Sequence, residues 1–212
     1  GKTIQALAFI AAEKANGRLD HPALVVVPWS LLGHWEQQTN EWAPDLSMLV
    51  FHGADREEGI VALDKCDVVL TTYGTVLRDE GLSQIEWSCV LCDEAQLAKN
   101  PDTATANVLR TLHARVRFCL TGTPLENNLD ELWAQYDFVV PGYLGDREAF
   151  HLMWSAAIEK KHDASRLADL AVLIRPFMLR RTKANVAPDL PKKIEKMIRV
   201  EMGGPQRRLY DT

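Results

Sequence analysis

The sequence predicts an α/β fold built on a parallel, doubly wound sheet, and three observations support it. Short runs of consecutive apolar residues recur along the chain, as in strands that are buried on both faces. Segments with helical patterns lie between them, and this alternation is typical of a right-handed parallel sheet. Hydroxyl and acidic side chains follow several of the apolar runs, at the sheet edge where folds of this class bind ligands.

The elements are expected in a regular order. Strands are predicted at residues 23–27, 48–51, 67–73, 116–121 and 194–200, and in the apolar run that leads from Val90 into Asp93. Helices are predicted at residues 4–14, 31–42, 56–65, 104–113 and 129–139. Residues 146–174 are expected to form one or two further helices outside the strand-helix rhythm.

Composition narrows the class of protein. With 212 residues, 47% of them hydrophobic, the chain can bury the core of one domain plus an appendage. No apolar run approaches a membrane span and no signal peptide opens the chain, so no membrane partner is expected. The chain lacks an initiator Met and begins inside a motif, which indicates a piece of a longer protein. Its four cysteines resemble reduced core residues, and Cys89 and Cys92 should face opposite sides of one strand, which disfavours a shared metal.

Charge is distributed unevenly along the chain. The net charge is −5, yet residues 175–212 hold ten basic and four acidic residues. A basic tail after an acidic body favours either a polyanionic or acidic partner or a solvated linker, and the two interpretations stay open.

Two acids, Asp93 and Glu94, end the apolar run that begins at Val90. At the carboxyl end of a strand, Asp93 could hold Mg²⁺ and Glu94 could activate the attacking water of a phosphoryl transfer. Taken alone, the pair could equally well cap the next helix.

A phosphate-binding tripeptide, Gly1-Lys2-Thr3, precedes the first helix. In such loops Lys reaches the β- and γ-phosphates and the Thr hydroxyl holds Mg²⁺. The acid pair about 90 residues later supports a phosphate-binding role for the tripeptide. An interval of this length is in keeping with several βα units between two halves of one nucleotide site. A turn at 121–128 should expose Thr121 and Thr123 at the same edge, although it could be an ordinary turn.

In this order the motifs resemble the first motor lobe of the SWI/SNF-type branch of superfamily two helicases, which are ATP-driven translocases on double-stranded DNA. The resemblance rests on GKTIQ (1–5), LVVVPWSLLGHW (24–35), TTYGTV (71–76), DEAQLAKN (93–100) and LTGTPLENNLDELW (120–133). Three later stretches resemble blocks downstream of the lobe: FMLRRTK (177–183), LPKKIE (190–195) and QRRLY (206–210). The resemblance implies a RecA-like P-loop NTPase lobe at 1–140, a helical protrusion at 141–180 and a basic linker at 181–212 toward a second lobe.

The resemblance also implies roles for single residues. Gly1, Lys2 and Thr3 would bind ATP, and Thr3 and Asp93 would bind Mg²⁺. Glu94 would act on the hydrolytic water, and Thr121 and Thr123 would relay the nucleotide state. Gln96 would link the nucleotide to the motif that contains Thr121 and Thr123. Gln96 stands where the family more often has His, and its amide cannot titrate, so this link should be insensitive to pH.

The resemblance further implies double-stranded DNA as a partner. Four residues would contact its phosphates through hydroxyls and backbone amides: Ser30, Thr71, Thr72 and Tyr73. A helix cap or strand end is the competing interpretation for each of them. The full-length protein would be a DNA-dependent ATPase that displaces or remodels DNA-bound proteins, acting in a bacterial cytoplasm on the nucleoid or in a eukaryotic nucleus. This chain alone should not turn over ATP, since the second lobe with its arginine finger lies outside it.

Two other functions remain open at this point. One is a strand-separating helicase or restriction-type motor of the same superfamily. The stretches LRRTK and TGTPLENN favour the translocase over this alternative. The other is a non-catalytic nucleotide- or DNA-binding module, against which intact Lys2, Thr3, Asp93 and Glu94 weigh.

Overall fold

Five parallel strands form the centre of the fold. They are β1 (Ala23–Val27), β2 (Met48–Val50), β3 (Val68–Thr72), β4 (Glu86–Asp93) and β5 (His113–Leu120). Their order across the sheet is β2-β3-β1-β4-β5, and every pairing is parallel. The computed structural model describes residues 1–53, 63, 65–98, 100–123, 128–181, 196–198 and 203–210. The predicted parallel α/β sheet is confirmed.

The helices lie before, between and after these strands along the chain. They are α1 (Lys2–Ala15), α2 (Leu32–Trp42), α3 (Tyr73–Arg78), α4 (Ala104–Thr111), α5 (Leu129–Val139), α6 (Arg147–Phe150), α7 (Ala164–Ile174) and α8 (Gly204–Tyr210). Short 3₁₀ segments occupy Trp29–Leu31, Glu80–Gln84, Ala95–Ala98 and Arg175–Phe177, and His151–Lys160 is π-helical. Side-chain caps set several helix starts, as where Asn128 accepts a hydrogen bond from the Glu131 amide at the start of α5.

Strand β1 explains why the sheet is covered on both faces. All five of its residues are fully buried. Leu24 and Val26 join one apolar cluster, which also contains residues of α3, α4 and α5. Val25 and Val27 join a second cluster with residues of α1 and α2. The continuous apolar run is therefore the signature of a central strand between two helical layers.

Several boundaries differ from the sequence-based expectation. β4 begins at Glu86, before the apolar run, and β5 begins at His113, where the end of a helix was predicted. The two starts pair with each other, Glu86 with His113 and Trp87 with Ala114. Strand pairing uses backbone groups, so it extends into polar sequence that carries no local strand pattern. Tyr73, predicted to end a strand, instead begins α3 because Thr72 caps that helix.

Other expectations fall on residues that are only partly described. Of the predicted helix at 56–65, only Leu63 and Lys65 are described, and the rest lies outside the described residues. Of the possible strand at 194–200, residues 196–198 are described and are not in a strand. The chain divides into two compact units, Gly1–Leu170 and Ala171–Thr212. The predicted boundaries at 140 and 180 stay predictions.

Cys89 and Cys92 face opposite sides of β4, as predicted. Cys89 packs in the cluster that holds α1 and α2, and Cys92 packs in the cluster on the opposite face. Burial raises the pKa of the Cys89 thiol to about 12, which is typical of an inert core cysteine. Within the described part of the chain, no helix is long and apolar enough to cross a membrane.

Asp67 ties three elements together at the amino edge of the sheet, just before β3. Its Oδ2 accepts hydrogen bonds from Lys14 Nζ of α1 (2.8 Å) and from the amide and hydroxyl of Ser47 (2.7 Å each), which lies directly before β2. Burial alone would raise the pKa of Asp67, but these hydrogen bonds outweigh it and hold the pKa below its ordinary value. The ionised carboxylate therefore stabilises the folded state.

We expect Asp67→Asn to lower the free energy of unfolding by about 1 kcal/mol at pH 7, a modest figure because Lys14 is partly exposed. The folded pKa lies below the unfolded value of about 3.9, so the stabilisation is present above pH 4 and is lost as pH falls. Urea unfolding at pH 7, 5 and 3.5 should show the two proteins converging in acid. Asp45→Asn is the matched control, since Lys14 contacts only the Asp45 backbone carbonyl. A difference in the free energy of unfolding that is as large at pH 3.5 as at pH 7 would contradict the assignment.

Candidate active site

The carboxyl edge of the sheet brings together residues from distant parts of the sequence. β4 ends at Asp93 and β5 ends at Leu120, and these two residues are partners in the register. Glu94 and Thr121 therefore leave neighbouring strands at the same edge. The start of α1 reaches this edge as well, because Lys2 Nζ lies 3.5 Å from Glu94 Oε1. Three of the sequence motifs thus meet at one place.

Glu94 occupies an unusual backbone conformation. Its φ is +49°, in the left-handed region that residues other than Gly, Asn and Asp seldom adopt. Such strain costs about 1 kcal/mol or more and clusters at functional sites. The turn aims the side chain so that Oε1 faces Lys2, while Oε2 accepts a hydrogen bond from Gln96 Nε2 at 2.7 Å. About a third of this side chain is exposed, so water can reach it.

Gln96 joins the acid pair to the strand β5. Its Nε2 donates to Glu94, and its Oε1 accepts a hydrogen bond from Thr121 Oγ1 at 2.8 Å. Thr121 Oγ1 in turn accepts from the Thr123 amide at 3.1 Å. An amide offers a donor and an acceptor at once, and neither depends on pH. The result is a continuous polar chain from Lys2 to Thr123.

Asp93 is almost wholly buried, with 4% of its surface exposed. Its Oδ1 accepts from the Glu94 amide at 3.0 Å, and its Oδ2 accepts from the indole Nε1 of Trp35 at 2.9 Å. The Tyr73 hydroxyl donates to the backbone carbonyl of Asp93 at 2.7 Å. The ion pairs found among the described residues include none to Asp93. All of its partners among these described residues are thus neutral donors.

Sequence reasoning did not find the Trp35 contact. Trp35 is completely buried, and its N–H is directed at an acid 58 residues away. One signal was available, because an indole N–H that is buried needs an acceptor. The sequence did not indicate which acceptor it finds.

The first turn of α1 carries the remaining nucleotide-site candidates. Gly1 is the N-cap and no side chain caps this helix. The first amides of a helix without a cap are the groups that bind phosphate oxygens. Thr3 is half-buried in this turn, and its hydroxyl is a hard oxygen ligand beside those amides.

The four candidate DNA contacts lie in different surroundings. Ser30 is exposed in the 3₁₀ turn that follows β1. The Thr71 hydroxyl is buried and donates to the Phe51 carbonyl at 2.8 Å, and Thr72 uses its hydroxyl to cap α3. Tyr73 is buried with its hydroxyl on Asp93, and this burial raises its pKa far above the ordinary value. The hydroxyls of the last three residues are therefore occupied within the lobe, and their role as DNA contacts stays a prediction.

Comparisons with known proteins agree with this geometry. The sequence model of the SNF2-related domain matches residues 1–212. A Bacillus subtilis protein named as an ATP-dependent helicase/translocase, YwqA, is 41% identical over 217 residues that cover all of this chain and 24% of that protein. The yeast ISWI chromatin-remodeling complex ATPase ISW2 is 33% identical over 218 residues, again all of this chain and 20% of that protein. This chain thus spans a quarter or less of these relatives.

Solved structures give the same result. The Sulfolobus solfataricus SWI2/SNF2 ATPase core in complex with double-stranded DNA matches with a TM-score of 0.80 and 40% identity, over 86% of this chain and 38% of that one. A second structure, of the Sulfolobus solfataricus SWI2/SNF2 ATPase core domain, matches with a TM-score of 0.79 and 38% identity, over 99% of this chain and 43% of that one. A family model that covers the whole chain, relatives above 30% identity and closely similar folds together place this chain in the SNF2-related domain family.

Proposed function

We propose that this chain is the ATP-binding lobe of an ATP-dependent translocase on double-stranded DNA that remodels or displaces DNA-bound proteins. The observation that carries the proposal is the polar chain from Lys2 through Glu94 and Gln96 to Thr121, which links a phosphate-binding helix start to an acid pair and a hydroxyl-bearing strand end. Family relatives named as ATP-dependent helicase/translocase and chromatin-remodeling ATPase support it.

ATP would bind with its phosphates at the start of α1. The open amides of the first turn and the Lys2 ammonium are the complementary charges for them. Lys2 Nζ lies 3.5 Å from Glu94 Oε1, and more than a third of each side chain is exposed. Such a pair is weak, so Lys2 could leave Glu94 and bind phosphate at a small cost in free energy. Glu94 would then be free to accept a proton from the attacking water.

The residues at this edge fit Mg²⁺. Asp93 offers a buried carboxylate whose described partners are all neutral donors, and Thr3 offers a hydroxyl. Hard oxygen ligands of this kind suit Mg²⁺, which would neutralise charge on the β- and γ-phosphates. Thr3 and Asp93 would hold the ion, and Gln96 would pass the state of the site to Thr121 and Thr123.

Double-stranded DNA would meet the lobe near the end of β1, where Ser30 is exposed. The buried hydroxyls of Thr71 and Thr72 leave backbone amides and neighbouring exposed groups as the contacts in that region. Contacts of this type position a protein on phosphates without reading sequence. A second lobe of the full-length chain would complete the ATP site, and the protein would act where chromosomal DNA lies, in a bacterial cytoplasm or a eukaryotic nucleus.

In the full-length protein, we expect Glu94→Gln to retain ATP binding and to lower DNA-stimulated hydrolysis by about 100-fold or more, because the amide keeps the shape and loses the base. Glu86→Gln is the control, since Glu86 lies exposed at the opposite end of the same strand. Binding of a fluorescent ATP analogue and steady-state phosphate release are the two measurements. Near-normal turnover in the Glu94 variant would show that another group is the base.

We expect ATP turnover by the full-length protein to be stimulated by random duplexes of different sequence to the same degree, and to fall with salt. The physical reason is that the candidate contacts are short polar groups suited to phosphates rather than bidentate readers of bases. Turnover should be measured with duplex DNA, single-stranded DNA and RNA at fixed salt, beside an unwinding assay on a tailed duplex. Stimulation by RNA alone, or efficient unwinding, would favour a strand-separating helicase. Tight ATP binding with no turnover on any nucleic acid would favour a non-catalytic module.

A further inference from the structure

The indole of Trp35 contacts the acid that would hold Mg²⁺. Trp35 lies in the first turn of α2, is fully buried, and donates its only hydrogen-bonding group to Asp93 Oδ2 at 2.9 Å. Compared with a phenyl ring, the indole fills more volume and adds one specific property, an N–H directed at a carboxylate.

The two oxygens of Asp93 are held from different directions. Oδ1 accepts from the amide of Glu94, the next residue in the chain, so it moves with β4 itself. Oδ2 accepts from α2, a separate element. The rotation of the carboxylate about its own bond is thus set by where α2 places Trp35. Partners of metal ligands that act in this way fix ligand orientation and tune metal affinity.

Helix α2 also carries the exposed turn at the end of β1. The 3₁₀ segment Trp29–Leu31 runs directly into α2, and the Leu31 amide donates to the Pro28 carbonyl at 2.9 Å, which closes this turn directly after β1. Trp29 is 73% exposed there, beside exposed Ser30. Trp35 is the fourth residue of α2 and lies about 4.5 Å of helix rise beyond Leu32, the first residue after the turn. The exposed turn and the donor of Asp93 are therefore close together on one continuous stretch of chain.

We propose that Trp35 is a positioning residue that couples the exposed turn Trp29–Leu31 to Asp93. Its indole N–H holds the carboxylate in the orientation that binds Mg²⁺ together with ATP. Duplex DNA that presses on the turn changes that orientation through α2. This inference rests on the proposed function, because it assigns Asp93 to the metal and the turn to DNA.

The chain offers a matched pair for the test. Trp35→Phe in the full-length protein removes the N–H and keeps an aromatic ring. Trp87→Phe makes the same change at a second buried tryptophan, which is 1% exposed and donates to the Leu82 carbonyl at 3.1 Å, a backbone group outside the site. Both variants lose a buried indole hydrogen bond, so a general loss of stability affects both.

Two readouts separate positioning from packing. The first is nucleotide binding by calorimetry with and without Mg²⁺. Trp35→Phe should weaken the Mg²⁺-dependent part of the affinity by about tenfold and leave metal-free binding unchanged. The second is the ratio of DNA-stimulated to basal ATP turnover, which should fall in Trp35→Phe. Neither quantity should change in Trp87→Phe.

A second replacement keeps the test decisive if Trp35→Phe does not fold. Benzothienylalanine incorporated at position 35 alone keeps the shape of the indole and replaces its N–H by sulfur. Wild-type Mg²⁺ dependence and wild-type DNA stimulation in either position-35 variant would overturn the inference. Absence of ATP binding or of DNA stimulation in the wild-type protein would instead overturn the proposed function, so the two failures can be told apart.

Discussion

The parallel register of β1, β4 and β5 is the constraint on which the rest of the structure depends. Val26 pairs with Cys92 and Cys92 pairs with Cys119, so the three strands end at one level. Parallel strands all present their carboxyl ends to the same side, and groups from distant parts of the sequence meet there without any local signal. A slip of one residue would turn each side chain to the other face and separate Asp93 from the start of α1.

Satisfied polar groups make this crowded edge possible. Asp93 is buried, yet each carboxylate oxygen and its carbonyl accept a hydrogen bond. Glu94 is strained at φ +49°, yet both of its oxygens have partners. A half-satisfied network in a region of low dielectric would be more costly than an apolar one. The strain at Glu94 is thus held in place by the contacts on either side of it, as expected where geometry matters more than stability.

A structural feature can be predicted from the sequence when the residues that cause it are neighbours in the chain. Strand 23–27 and helix 129–139 were predicted to the residue, because an apolar run with a Pro stop and an Asn cap contain the whole signal. The starts of β4 and β5 were not, because they depend on pairing between strands.

The same distinction holds at the site. The meeting of the motifs followed from the rule that parallel strands end at one edge, and the link through Gln96 followed from the family resemblance. The left-handed backbone of Glu94 and the bond between Trp35 and Asp93 left no local pattern. The second joins residues 58 positions apart, and only the packed helix layer brings them into contact.

Two aromatic residues give Asp93 its unusual surroundings. Trp35 follows β1 and donates to the carboxylate, whereas Tyr73 follows β3 and donates to the carbonyl. β1 separates β3 from β4, so the Tyr73 hydroxyl reaches across a whole strand to hold the end of β4. Both donors belong to segments that the family resemblance assigned to DNA, and both donate to the acid assigned to the metal.

A direct contact between the Tyr73 hydroxyl and a DNA phosphate would require breaking a buried hydrogen bond, which leaves the Asp93 carbonyl unsatisfied at a cost of about 1–3 kcal/mol. It is less costly for the segment to meet DNA through its backbone and to keep the hydroxyl on Asp93. Under the proposed function, the two aromatic residues would therefore hold Asp93 in place rather than contact DNA themselves.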